Sequence, residues 1–261
     1  MAALMAFLIW ITTIVIVVLF SLSRWDFPQL ISQYIGIDTQ FYRTLIVVGI
    51  AFVGSHLALG WYIFKYGKGG TKALYSHGNT KVEVGFTALT AVVFIITAFL
   101  GQRTWYNLHI NDAPADAIQI EVTGQQFAWS FRYPGPDGKF GETKPELIKD
   151  PDNLVGIDPN DPAGKDDIQN GGRMVVPVNR PVKLILRSKD VTHNFFVPQL
   201  RFKQDTVPGM KINVHFIANK VGEYEIACSE LCGLGHYKMR AVFEVKEYQD
   251  YQKWLEKLSG Q

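Results

Sequence analysis

A chain of 261 residues with a formal net charge of +2 is long enough for one large or two modest domains, and too weakly charged to indicate nucleic acid or an acidic partner. Two cysteines four positions apart exclude a disulfide framework and leave at most a single bridge. The mean hydropathy is near neutral, but apolar residues concentrate in roughly the first hundred positions, which predicts a membrane anchor followed by a soluble domain.

Residues Ala2 to Ser23 carry no charge and are rich in Leu, Ile, Val and Phe, close to the ~20 residues that cross a bilayer as a helix. No basic segment precedes this run and no small-x-small pattern follows Phe20, so a first transmembrane helix is expected rather than a signal sequence. Further runs at Thr44 to Phe64 and from Val84 predict two more spans, giving helices at about 2–23, 44–64 and 84–105 in an anchor of residues 1–106. Lys65, Lys68, Lys72 and Lys81 lie between the second and third with no acid before Glu83, which places that loop in the cytoplasm. The N-terminus is then inside, the loop from Arg24 to Arg43 outside, and everything after Arg103 outside. Trp25, Trp61, Tyr62, Trp105 and Tyr106 sit near the ends of the runs, where amphipathic aromatics favour the membrane interface or serve as packing residues.

From Ala117 the apolar period becomes two. Ile118, Ile120 and Val122 alternate with Gln119 and Glu121, and Phe127, Trp129, Phe131 and Tyr133 continue an aromatic stripe. Strands are also expected at Met174 to Val178, Val182 to Arg187, Asn213 to Ala218, Glu223 to Cys228 and Arg240 to Val245, which predicts a β-sandwich or barrel over residues 107–247. Pro134 to Gly172 is rich in Pro, Gly and Asp and reads as a long surface insertion with solvated acids. Tyr248, Tyr251, Trp254, Leu255 and Leu258 have helical spacing, so a C-terminal amphipathic helix over residues 248–261 is expected to pack on the domain.

The chemistry concentrates in Cys228-Ser229-Glu230-Leu231-Cys232-Gly233-Leu234-Gly235-His236-Tyr237-Lys238-Met239, which contains both cysteines, one histidine and one methionine. Thiolate, imidazole and thioether together favour copper over the oxygen-seeking cations. His193 is expected to join from an earlier strand. Alone, the cysteine pair is more often a disulfide, a zinc half-site or chance than copper, and two Cys with two His suit zinc while leaving Met239 without a purpose. A single-copper site needs only one thiolate, so the second allows both sulfurs to bridge a copper pair in a closed electron relay. His56, His77, His109 and His215 lack such company and are expected to be interfacial or structural, and Met210 to be a packing residue.

These residues resemble subunit II of haem-copper cytochrome c oxidases. The resemblance is carried by Cys-Ser-Glu-x-Cys-Gly-x-x-His-x-x-Met, by Asp190-Val191-x-His193, and by Pro198-x-Leu200-x-x-Lys203-x-Asp205-x-x-Pro208-Gly209. It implies that the three expected transmembrane helices are followed by a cupredoxin-like Greek-key β-sandwich with a binuclear copper A centre. By the same resemblance Cys228 and Cys232 bridge the coppers and His193 and His236 are terminal ligands. Met239 is axial to one copper and the Glu230 carbonyl serves the other, while the Glu230 carboxylate reaches a magnesium at the boundary with the catalytic subunit. Glu83 matches a glutamate at a proton-pathway entrance, and Phe127 and Trp129 match the segment that receives electrons from cytochrome c.

Several positions depart from the family pattern: Phe127 replaces a tryptophan, Lys189 an acid of the usual docking surface, and Phe86 and Thr90 a frequent Trp and Pro. The first helix and the long insertion are additional. No Cys-x-x-Cys-His occurs, so any haem belongs to other chains. The expected function is the subunit through which electrons enter a proton-pumping terminal oxidase of the bacterial inner membrane, with the cupredoxin domain on the periplasmic face. Expected partners are the catalytic subunit, membrane lipid and a cytochrome c donor, free, tethered or part of a larger respiratory complex that meets the first helix. A nitrogen-oxide reductase copper A subunit is the alternative. A quinol-oxidase-type or assembly protein fits poorly, because its relatives lack the copper ligands.

Overall fold

Three long helices open the chain: α1 (Ala2–Leu22), α2 (Ile35–Tyr66) and α3 (Thr80–His109), each long and apolar enough to cross a membrane. The computed structural model describes all residues except 24–25, 68, 70–73 and 260–261, so Arg24, Trp25, Lys68 and Lys72 lie outside the described residues. α2 and α3 are longer than their uncharged cores. α2 begins before Asp38 and Arg43, because a charge ends an apolar run without ending a helix. α3 begins where the Asn79 side chain accepts hydrogen bonds from the Lys81 and Val82 amides, an N-cap invisible to hydropathy. Glu83 follows in its first turn, exposed, where the helix dipole favours a carboxylate. Trp10 of α1 donates to the Leu57 carbonyl of α2 and covers Gly60, where a Cβ would lie only 2.2 Å from the indole nitrogen.

The chain divides into two units, Met1–Phe27 with Gly36–Trp105, and Pro28–Ile35 with Tyr106–Gln261. The second is a sandwich of ten strands: β1 (Ile118–Gln125), β2 (Ala128–Tyr133), β3 (Ile168–Gly171), β4 (Arg173–Pro177), β5 (Pro181–Ser188), β6 (His193–Val197), β7 (Phe202–Thr206), β8 (Ile212–Ile217), β9 (Gly222–Cys228) and β10 (Arg240–Lys246). One sheet has the order β3-β2-β1-β5-β8 and the other β4-β10-β9-β6-β7. This is the cupredoxin-like sandwich that the resemblance implies. Strand β5 alternates inward Val182, Leu184 and Leu186 with partly exposed Lys183, Ile185 and Arg187, the period-two pattern of a strand covered on one face. Ile120, Val122, Phe131 and Leu184 from one sheet and Val175, Ile226 and Phe243 from the other are fully buried.

Tyr133 joins the sheets. Its hydroxyl accepts from the Val175 amide at 2.8 Å and donates to the Val175 carbonyl at 3.1 Å. Tyr133→Phe leaves two buried backbone groups of β4 unpaired, so a loss of about 1–3 kcal/mol is expected. The shift in thermal unfolding of the variant measures it. The C-terminal helix α4 (Tyr248–Ser259) buries Tyr251 and sets Trp254 edge-on to Tyr133 at 5.2 Å.

The earlier strand expected to carry His193 is β6; β7 and the brief β3 escape the sequence reading, because Pro198 and Arg201 interrupt the run before β7 and β3 lies within the insertion. The segment Pro28–Ile35 also docks on the sandwich: the Ile31 amide donates to Gln199, Ser32 Oγ donates to Leu200, and the Ile217 amide donates to Gln33. Ile31 is fully buried there.

The insertion differs from the solvated loop expected of it. Residues 142–158 fold back on themselves, with the Lys144 amide donating to Gly156 and the Asp158 amide to Glu142. Val155, Ile157 and Ile168 are buried. Two acids turn inward: Asp158 pairs with Lys144 at 2.6 Å, and Asp167, whose side chain is fully buried, pairs with Arg132 at 2.8 Å. Acid-rich composition signalled solvent, but these carboxylates found cations and backbone amides. Met210 is exposed rather than packed.

Candidate metal centre

The soft donors converge at one end of the sandwich. His193 opens β6 and Cys228 closes β9, which are adjacent antiparallel strands with Phe195 opposite Cys228. The loop from Ser229 to Met239 returns to β10, and its two ends are joined by the Cys228 amide donating to the Met239 carbonyl. Cys228 and Cys232 sulfurs lie 3.9 Å apart, Cys232 Sγ is 3.6 Å from His236 Nδ1, and Cys232 Sγ is 3.8 Å from Met239 Sδ. Donor atoms of His193, Cys228 and Cys232 all lie within 4.8 Å of one another. The Glu230 carbonyl faces Cys228 Sγ at 3.2 Å, while Glu230 itself is exposed. Both cysteines are free thiols.

The donor set fits a metal. His193 is fully buried, its Nε2 is held by Asp190 Oδ1 at 2.8 Å, and its Nδ1 has no partner among the described residues. A buried imidazole nitrogen without a partner is costly unless something fills the position, and the carboxylate on the opposite nitrogen is the usual orienter of a metal-binding histidine. Burial pushes the Asp190 carboxyl up, yet hydrogen bonds from the Gln126 amide, His193 and the Val191 amide together hold it below the ordinary value. Thiols and a thioether around one imidazole-lined space suit copper, and zinc would leave Met239 unused.

Burial and the neighbouring Cys228 push the Cys232 thiol up to about 11. The thiol therefore keeps its proton near neutrality, and a metal that binds the thiolate displaces it. Apparent copper affinity is expected to rise by about tenfold per unit increase in pH for each proton displaced. Metal competition titrations between pH 6 and 9 check the slope.

Glycines make room for this arrangement. A Cβ on Gly124 of β1 would lie 2.9 Å from the His193 ring and 3.2 Å from Trp129, and one on Gly235 would lie 2.3 Å from the Phe127 ring. Gly124→Ala is expected to displace His193 and lower copper affinity at least about tenfold, the scale of losing a ligand's orienting contacts. Titration of the purified chain with a copper competitor measures it.

The aromatic stripe divides. Phe127, in the turn between β1 and β2, is half-buried against the ligand loop at Gly233 and Gly235. Trp129 is only 1 % exposed, packed edge-on to Phe195 at 5.6 Å and His193 at 6.0 Å. Of the two expected electron-entry aromatics, Trp129 faces inward on β2, beneath the donor cluster, and Phe127 reaches the surface. Lys189 is not a free surface cation either. Its amine donates to the Gln125 side chain, which in turn donates to Asp150 of the insertion at 3.1 Å, and burial pushes its pKa down. The insertion therefore brings a carboxylate to the place where Lys189 replaced one.

Asp190 belonged to a quoted motif but had no stated role, and Gln126 and Gly124 were missed. The spacing of Asp190 three residues before His193 was the available signal. Nothing local in the sequence marks Gln126, whose side chain donates to the Cys232 carbonyl at 2.5 Å across more than a hundred residues of chain.

The family model for the cytochrome c oxidase subunit II periplasmic domain matches residues 118–246. An alternative cytochrome c oxidase subunit 2 of Bradyrhizobium diazoefficiens is 36% identical over 242 residues, covering 92% of this chain and 86% of that protein. The cytochrome c oxidase subunit 2 of Pneumocystis carinii is 28% identical over 217 residues, covering 83% and 84%. Among solved structures, the periplasmic domain of subunit II of cytochrome oxidase from Bradyrhizobium japonicum is 32% identical, with a TM-score of 0.42, and covers 57% of this chain and 98% of that one. With the relative from Bradyrhizobium diazoefficiens aligned over nearly its whole length, the chain belongs to the cytochrome c oxidase subunit II family.

Proposed function

We propose that this chain accepts electrons from a c-type cytochrome at a binuclear copper centre and passes them to haem in the catalytic subunit, which reduces oxygen to water with proton pumping. The observation that carries this reading is the convergence of two thiols, two imidazoles and a thioether in a buried pocket, with His193 Nδ1 left unpartnered. When bound, a copper pair would supply storage for one electron at a time.

The chain's own residues have distinct tasks in this reading. Cys228, Cys232, His193, His236, Met239 and the Glu230 carbonyl would together hold the copper. Asp190 holds His193 in the tautomer that leaves Nδ1 free for metal. Burial of Met239, Cys232 and His193 excludes water, so the centre relays electrons without an open position for substrate. Phe127, resting on the ligand loop, is the place where the donor approaches. Trp129 packs His193 from beneath.

The exposed carboxylate of Glu230 is suited to a magnesium ion shared with the catalytic subunit, and Glu83, at the cytoplasmic start of α3, to a proton entrance. The membrane is the bacterial inner membrane, with the sandwich on its periplasmic face. The charge bias of Lys65 and Lys81 supports that orientation. Rapid mixing of the assembled oxidase with reduced cytochrome c tests the role of the surface: Phe127→Ala is expected to slow copper reduction while leaving the bound copper intact. An unchanged rate would remove Phe127 from the path.

A further inference from the structure

The ligands come from two sources, the start of β6 and the loop after β9, and something must fix one against the other. Asn194 is placed to do so. It follows His193 directly, and its side chain is nearly inaccessible, at 4 % exposure for the residue. Its backbone carbonyl accepts from the Ser229 amide at 3.2 Å, extending the β6–β9 pairing by one step. Its side-chain oxygen accepts from Ser229 Oγ at 2.6 Å, and its side-chain nitrogen donates to Asp205 Oδ1 at 2.6 Å. Asp205 is its direct cross-strand partner on β7. Ser229 separates Cys228 from Glu230, whose carbonyl faces the Cys228 sulfur.

We infer that Asn194 is a positioning residue of the metal centre, locking the cysteine loop to the His193 strand through Ser229 and anchored in turn by Asp205. The inference rests on the metal-centre reading above. A buried amide is costly unless both ends are satisfied, and here each end reaches a different strand or loop. The bidentate hold on Ser229 fixes the backbone on both sides of it, hence the spacing of Cys228, the Glu230 carbonyl and His193. The anchor on Asp205 stops the amide from flipping, because the reversed amide would set its oxygen against a carboxylate. Thr206, the next residue of β7, donates to the His193 carbonyl at 3.3 Å, so the same strand pair supports ligand and positioning residue together.

Copper(I) affinity of the full chain in detergent, read by chelator competition, tests this, with the electron spin resonance of the oxidised centre as a second readout. Asn194→Ala and Ser229→Ala are each expected to weaken affinity about 10–100-fold, the usual range for groups that orient ligands, and to change the copper hyperfine pattern. The double variant is expected to lose little more than either single one, since both remove the same contact. The exchanged pair Asn194→Asp with Asp205→Asn keeps an acceptor for Ser229 and one donor between the strands, and is expected to recover most of the loss. Ser229 is exposed, so Ser229→Ala keeps the fold even if Asn194→Ala does not. Unchanged affinity in Ser229→Ala, or independent losses that simply add, would overturn the inference. Failure of the wild-type chain to bind a copper pair would instead count against the proposed centre, because the coupling of the two variants is read from affinity alone.

Discussion

Cys232→Ser is expected to abolish the paired copper centre while leaving the sandwich folded. Cys232 is the hub of the cluster, within 3.9 Å of Cys228 Sγ, 3.6 Å of His236 Nδ1 and 3.8 Å of Met239 Sδ. A serine hydroxyl is similar in size but does not ionise at accessible pH and is a hard, weak ligand for copper, so no second bridge forms. Copper content is expected to fall to roughly one ion per chain or less, and electron transfer into the oxidase to fall with it. Metal analysis and the far-ultraviolet circular dichroism of the same sample separate loss of the centre from loss of the fold. Retention of a full copper pair in the variant would show that the two sulfurs do not bridge.

The second large effect lies far from the metal. Arg132 is 1 % exposed at its side chain and reaches Asp167 at 2.8 Å, Glu121 at 3.4 Å and the Gly141 carbonyl at 2.5 Å. Glu121 is also paired with Arg187 at 3.1 Å, whose guanidinium meets Thr143 of the insertion at 3.0 Å. This alternating chain fastens the insertion to β1, β2 and β5. Burial pushes the Asp167 carboxyl up even though the Gly141 amide and Arg132 oppose it, so Asp167 depends on the company of its cation. Arg132→Ala leaves buried acids without their main partner, and a loss of about 3–5 kcal/mol is expected. The thermal midpoint of the purified chain should fall, and protease should cut first between residues 134 and 172. An unchanged midpoint and cleavage pattern would show that the insertion is held by its own small core alone.

Most of the architecture was legible because it rests on local signals. Uncharged runs announce α1 to α3, and alternation announces β1, β2, β5 and β10. The candidate metal ligands stood out for a different reason: Cys228, Cys232, His236 and Met239 come from one short loop whose chemistry is concentrated in sequence. What escaped reading depends on contacts between distant segments. Gln126 reaches Cys232, Asn194 reaches Ser229 and Asp205, and Arg132 reaches Asp167, none of which leaves a periodic trace. Trp129 shows the limit of pattern most clearly. The stripe marks it as aromatic on one strand face, but only the second sheet decides that this face is inside. The acids of the insertion misled in the opposite sense, since composition alone predicts solvent where Asp158 and Asp167 are paired.

The measurement that bears most directly on the central claim is the copper stoichiometry and electron spin resonance of the full chain, purified in detergent and loaded with copper. The proposed function predicts a pair of coppers per chain sharing a single unpaired electron, with hyperfine splitting from both nuclei. A single copper with its own localised spin, or retention of zinc in preference to copper, would contradict it.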